Sequence, residues 1–165
     1  MGSLTELSAE VGRVLAAQQF KLATVESCTG GWIGQSLTAV AGSSAWYERG
    51  FVTYSDASKT ELVGVPPELI SRSGAVSEPV VRAMARGALS HSPADLALAV
   101  TGIAGPDGGS ADKPVGTVWL GWSARTGMER SEQYVFSGNR EAVRRQSVIE
   151  ALSGLIRFLE EGSSQ

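Results

Sequence analysis

The residues best suited to chemistry stand in one polar run, Glu26-Ser27-Cys28-Thr29-Gly30-Gly31, between an apolar stretch and an amphipathic one. A hydroxyl where a strand ends and a helix starts has backbone N–H groups nearby, and adjacent glycines let them approach a ligand closely. Ser27 is therefore a candidate nucleophile, with the N–H groups of Thr29, Gly30 and Gly31 as candidate donors to an oxyanion. The same run reads equally well as a helix cap, with Ser27 or Thr29 serving the helix and the glycines easing the turn. Cys28 competes as a nucleophile, but a thiol needs a base, and the only histidine, His91, follows a helix in a polar stretch. One histidine and one cysteine also argue against a Ser–His–Asp triad and against a zinc site of nitrogen and sulfur ligands. The chemistry expected here needs neither a metal nor a cofactor.

A serine nucleophile leaves lysines and carboxylates as candidate bases. Lys59 closes the run Phe51-Val52-Thr53-Tyr54-Ser55-Asp56-Ala57-Ser58-Lys59, just past a strand's end. A lysine whose pKa is lowered by burial can act as a neutral general base. Ser55, four residues earlier, makes a local pair on one helix face a second arrangement, and a solvated helix lysine is a third. Tyr54 and Lys59 have one residue too many between them for the Tyr-x-x-x-Lys pair of short-chain dehydrogenases. The dinucleotide fingerprint, the Walker A loop and the Gly-x-Ser-x-Gly elbow are all absent.

Two further signals suit a ligand. The patternless stretch that opens Thr101-Gly102-Ile103-Ala104-Gly105-Pro106-Asp107-Gly108-Gly109 leaves a continuous apolar run, DLALAV, and reads as a binding loop. Backbone N–H groups around Thr101, Gly102 and Gly105 could hold a phosphate or carboxylate. Arg140, Arg144 and Arg145 crowd the start of the last helix, where cations oppose the helix dipole unless an anion is bound. A solvated face paired with Glu141 accounts for the same arginines.

Positioning these residues requires alternating helices and strands. Leu4, Leu7, Val11, Val14 and Leu15 trace a first helix, with Ser3 or Thr5 as its cap. Strands are expected over 20–25, 50–54, 95–100, 115–122 and 129–136, the last two joined by Arg125-Thr126-Gly127. Helices are expected over 32–40, 57–63 and 78–89, with a further turn at Pro66-Pro67 and Ser77 starting the third. Val143, Ser147, Val148, Ala151, Leu152, Leu155, Ile156 and Leu159 form one stripe of a final helix, capped by Asn139 and followed by a frayed tail over 162–165. The order predicts an α/β protein, a three-layer α/β/α sandwich with a mixed, mainly parallel sheet.

The 165 residues fit one domain better than two. A net charge of -3 argues against a nucleic-acid binder, and no apolar run approaches a membrane span. The start, MGSLTELSAEVGRVL, does not read as a signal peptide, and the lone cysteine is compatible with a reducing compartment, so a cytoplasmic address is expected.

The segments ESCTGG, AGSSAWYERGFVTYSDASK, GAVSEPVV, TGIAGPDGGSADKPVGTVW and SGNREAVRRQ, in this order, resemble the CinA C-terminal domain family, and within it the stand-alone amidohydrolase members. The likeness runs from about Leu4 to Leu159 and implies that residues 1–165 are one domain of this kind, without the extra N-terminal domain of two-domain members. It implies deamidation of nicotinamide mononucleotide to nicotinate mononucleotide and ammonia, a step of pyridine nucleotide salvage. It also implies a serine–lysine pair, Ser27 and Lys59, with Tyr54 beside them. The implied partner is the small nucleotide substrate, and a homodimer is a further arrangement open to the chain. Two alternatives stand beside this reading: a nucleotide-binding regulatory module without catalysis, and an amidohydrolase of a related carboxamide such as free nicotinamide.

Overall fold

In the computed structural model, which describes residues 3–163, five strands form one sheet between two helical layers. The elements are α1 (Leu4–Gln18), β1 (Leu22–Glu26), α2 (Trp32–Thr38), β2 (Tyr47–Val52), α3 (Asp56–Val63), α4 (Pro67–Ser73), α5 (Glu78–Ser90), β3 (Leu96–Gly102), β4 (Thr117–Ala124), β5 (Glu129–Val135) and α6 (Arg140–Ser163). The sheet order is β2-β1-β3-β4-β5. β1 pairs parallel with both β2 and β3, whereas the β3–β4 and β4–β5 pairs are antiparallel. Four of the five strands therefore point the same way in this mixed sheet.

Period-two alternation along the central strand explains the two layers. Leu96, Leu98 and Val100 of β3 face a core built with α1, α2 and α6, including Leu15, Trp122, Leu152 and Phe158. Ala97 and Ala99 face the opposite core, built with α5 through Val80, Val81, Met84 and Ala88. The continuous apolar run of β3 is thus covered on both faces, with large side chains toward α6 and small ones toward α5. Trp122 reaches into α6 and donates its indole N–H to the Ala151 carbonyl at 3.1 Å.

Two caps agree with the sequence, whereas α2 is capped by Gly31 with no side-chain hydrogen bond, which corrects the reading of Ser27 or Thr29 as its cap. Ser3 accepts from the Glu6 N–H at 3.1 Å, and Asn139 accepts from the Ala142 N–H at 2.9 Å. Several boundaries differ for identifiable reasons. β2 begins at Tyr47, because Leu22 and Ala23 of β1 supply ladder partners to Tyr47 and Arg49. It ends at Val52, where the chain turns away. Ser77 precedes α5, but its hydroxyl donates to the Gly74 carbonyl at 2.8 Å rather than capping the helix. α6 runs through Gly162 and Ser163, so the frayed tail expected from 162 is corrected at those two positions, and residues 164–165 lie outside the described residues. No helix among the described residues is long and apolar enough to cross a membrane.

Candidate active site

Register brings the first two signals together. Glu26, Val52 and Val100 are level across the three parallel strands β2, β1 and β3. The residues that follow each strand therefore leave from one edge: Ser27 from β1, Thr53 and Tyr54 from β2, and Thr101 and Gly102 at the end of β3. Ligands in open α/β sheets bind at such carboxyl ends. Two hydrogen bonds extend the ladder past the strands, from the Ser27 N–H to the Val100 carbonyl at 3.0 Å and from the Thr53 N–H to the Glu26 carbonyl at 2.8 Å. A cavity of about 300 Å³ opens here, lined in part by Ser27, Tyr54, Lys59, Thr101, Gly105 and Arg140.

Lys59 lies one turn into α3, and only 1% of its surface is exposed. Its Nζ lies 3.0 Å from Ser27 Oγ and donates to the Thr53 carbonyl at 2.8 Å and the Tyr54 carbonyl at 3.4 Å. Burial lowers its pKa below the ordinary lysine value, with Asp56 opposing the shift less strongly. A neutral amine has two N–H donors and one lone pair. With both donors given to the two carbonyls, the lone pair is left for the Ser27 hydroxyl. The pH dependence follows: kcat/KM should rise as Lys59 loses its proton, with an inflection below the free-lysine value of roughly 10.4. A rate flat up to that value, or falling through it, would remove Lys59 as the base.

The rival arrangements are taken up by structure. Ser55 caps α3, accepting from the Ser58 N–H at 3.1 Å, so the local Ser55–Lys59 pair is corrected: that hydroxyl serves the helix end. Burial pushes the Cys28 thiol up to about 12, outweighing the pull of Arg144 and Lys59, so it is a neutral thiol at physiological pH. His91 is exposed at the end of α5, with Nδ1 2.8 Å from the Gly87 carbonyl oxygen. Among the described residues, no three His, Cys, Asp or Glu side chains gather to hold a metal ion.

The turn after Ser27 is shaped by a residue whose role the sequence did not reveal. Gly30 and Gly31 adopt positive φ, 59° and 106°, which lets the chain double back into α2. Glu26, 2% exposed, then reaches forward. Its carboxylate accepts from the Thr29 hydroxyl at 2.6 Å, the Ile33 N–H at 2.9 Å and the Gly34 N–H at 2.9 Å. Those N–H groups at the start of α2 are committed to Glu26, which corrects the expectation that this helix end greets developing charge. The Gly30 N–H is also used, on the Ser27 carbonyl at 3.0 Å. Thr29, Gly30 and Gly31 do not line the cavity. Asp56 and Asp107 do line it; the only signal for them in the sequence was their place inside the two motifs.

The three arginines separate. Arg140 reaches the cavity, donating to the Gly105 carbonyl at 2.6 Å and the Tyr54 hydroxyl at 3.0 Å, and so joins α6 to the glycine loop and the end of β2. The Tyr54 side chain is 61% exposed at the mouth, and no hydrogen bond joins its hydroxyl to Ser27. Arg144 turns instead to the Ser27 turn, donating to the Cys28 carbonyl at 3.0 Å and the Thr29 carbonyl at 3.1 Å. Arg145 is exposed and lies outside the cavity lining. The glycine loop is tied down at its far end, where Lys113 Nζ donates to the Ser73 carbonyl at 2.8 Å.

Known proteins share both sequence and fold. The chain is 52% identical over 152 residues to nicotinamide-nucleotide amidohydrolase PncC of Escherichia coli strain K12, covering 92% of each protein. It is 53% identical over 158 residues to the protein of the same name from Pseudomonas putida, covering 96% of this chain and 98% of that one. The crystal structure of the competence/damage inducible protein CihA from Agrobacterium tumefaciens superposes with a TM-score of 0.93 at 43% identity, covering 96% of each chain. The family model of the CinA C-terminal domain matches residues 4–159, and the chain belongs to that family.

Proposed function

We propose that this chain is a nicotinamide-nucleotide amidohydrolase, a single domain that hydrolyses the carboxamide of nicotinamide mononucleotide to nicotinate mononucleotide and ammonia in the cytoplasm. The observation that carries the reading is the buried amine of Lys59, 3.0 Å from Ser27 Oγ where the cavity meets the sheet edge. The names of the relatives supply the substrate. The cationic pyridinium of that substrate withdraws electrons and opens its carboxamide carbon to attack.

Ser27 Oγ forms a bond to the carboxamide carbon while its proton passes to Lys59 Nζ. The C–N bond then breaks, the proton returns from Lys59 to the departing nitrogen, and ammonia leaves. Water attacks the resulting ester, again giving a proton to Lys59, and the C–Oγ bond breaks as that proton passes to Oγ, which releases nicotinate mononucleotide and restores Ser27 and neutral Lys59. The Thr29 N–H, next to the cavity-lining Cys28 and not taken up by the helix start, is the donor to the oxyanion in both halves.

Arg140 lines the cavity beside the glycine loop, which supports it as the arginine that meets the 5′-phosphate. A phosphate contact of equal strength in ground and transition states appears in KM alone. Arg140→Ala should therefore raise KM roughly tenfold or more while kcat changes little, since a charged hydrogen bond contributes about 1.5–3 kcal/mol. An unchanged KM would place the phosphate elsewhere. Ammonia release from nicotinamide mononucleotide by the purified protein, with free nicotinamide as comparison, tests the function itself. Faster release from free nicotinamide would favour the related-carboxamide reading, and none from either would favour the binding module.

A further inference from the structure

Arg144 is oddly employed for a cation at a helix start. It lies just past the first turn of α6, near the end whose dipole disfavours positive charge, and no acidic side chain pairs with it among the described ion pairs. Its guanidinium instead bridges 116 residues of sequence to grip two consecutive carbonyls, Cys28 at 3.0 Å through Nε and Thr29 at 3.1 Å through a terminal nitrogen. The guanidinium carbon also lies over the Trp32 ring, 5.4 Å from its centroid. A fork held by two acceptors and a ring face has little freedom left.

Those two carbonyls belong to the turn that carries Ser27. In a trans peptide the C=O and N–H point in opposite directions. With the Cys28 carbonyl turned toward Arg144, the Thr29 N–H of the same peptide points away from α6. A cation on the carbonyl oxygen also draws density through the amide and strengthens the opposite N–H as a donor. From the other side, Glu26 holds the Thr29 hydroxyl at 2.6 Å, so residue 29 is fixed through both side chain and backbone.

We propose that Arg144 is a positioning residue which, by gripping the Cys28 and Thr29 carbonyls, holds the nucleophile turn and directs and polarises its amide N–H toward the oxyanion formed on attack by Ser27. The inference rests on the amidohydrolase reading for its substrate, but not for its test. A fluorophosphonate probe reacts with an activated serine whatever the natural substrate: an Oγ–P bond forms, the P–F bond breaks, fluoride leaves, and the hydroxyl proton passes to Lys59.

Arg144→Lys keeps the charge and loses the fork. It should slow fluorophosphonate labelling of Ser27 and lower kcat for nicotinamide mononucleotide by a similar factor, roughly 30-fold, short of the 10²–10³ for deleting an oxyanion donor outright. KM and the affinity for nicotinate mononucleotide should stay near wild type, as should the melting temperature. In Arg144→Ala, added guanidinium should restore part of the labelling rate. A variant that labels at the wild-type rate, or that raises KM with kcat unchanged, overturns the proposal and returns Arg144 to the phosphate. Labelling that slows only because the melting temperature collapses in both variants, without guanidinium rescue, also overturns it in favour of a purely structural role. If wild type labels at Ser27 but releases no ammonia from nicotinamide mononucleotide, the substrate reading alone fails.

Discussion

Ser27→Ala and Lys59→Ala should each lose roughly 10³-fold or more in kcat, and the double variant should be little worse than either, because members of one catalytic unit are not additive. The geometry behind this is specific. In the proposed mechanism the single amine 3.0 Å from the hydroxyl both accepts its proton and returns it to the leaving nitrogen, so removing either partner removes both transfers. Both variants should still fold and bind nicotinate mononucleotide, since Arg140 and the glycine loop remain. Cys28→Ser and Ser55→Ala are the informative contrasts. The buried, neutral Cys28 thiol and the capping Ser55 hydroxyl predict that each keeps most of the wild-type rate. A Cys28→Ser variant that is dead beside an active Ser27→Ala would move the nucleophile by one residue.

Gly87→Ala should be severely damaging although it lies away from the site. A Cβ at Gly87 of α5 would stand 1.8 Å from the Val63 carbonyl oxygen and 2.9 Å from its Cβ. Val63 is the last residue of α3, so the obstacle is backbone and cannot rotate aside. The two helices would have to part, which costs about 3 kcal/mol or more and lowers the melting temperature by roughly 10 °C for a chain of this size. The effect should reach catalysis as well, because α3 carries Lys59. The Val65 N–H donates to the Lys59 carbonyl at 3.1 Å, so a shift at the end of α3 bears directly on the candidate base. Calorimetry with kcat on the folded fraction checks both halves. A melting temperature within about 2 °C of wild type would show that α3 and α5 do not approach this closely.

How much of this was legible beforehand depends on the range of each interaction. Periodicity is local, so the final helix and its Asn139 cap, the doubly covered β3 and the β4–β5 pair could all be read from spacing alone. Ser27 and Lys59 could be named as candidates because each sits just past a strand, and strands of one parallel sheet end on one edge. Their separation of 3.0 Å could not, since it depends on register across β1 and β2 and on the depth to which α3 buries the amine.

The arginines show the limit most clearly. Their crowding at one helix start is a property of sequence, and it pointed to an anion for all three. Three-dimensional packing divides them: α6 presents Arg140 to the cavity, Arg144 to the carbonyls of a turn 116 residues away, and Arg145 to solvent. Glu26 is the same lesson in reverse. Beside a serine it looks like a polar neighbour, and only the positive φ of Gly30 and Gly31 brings the start of α2 back within its reach. Sequence determined which residue types were available and which elements carry them. Tertiary structure decided which polar groups satisfy one another and which are left facing a ligand, because a buried donor or acceptor takes whichever partner the fold delivers.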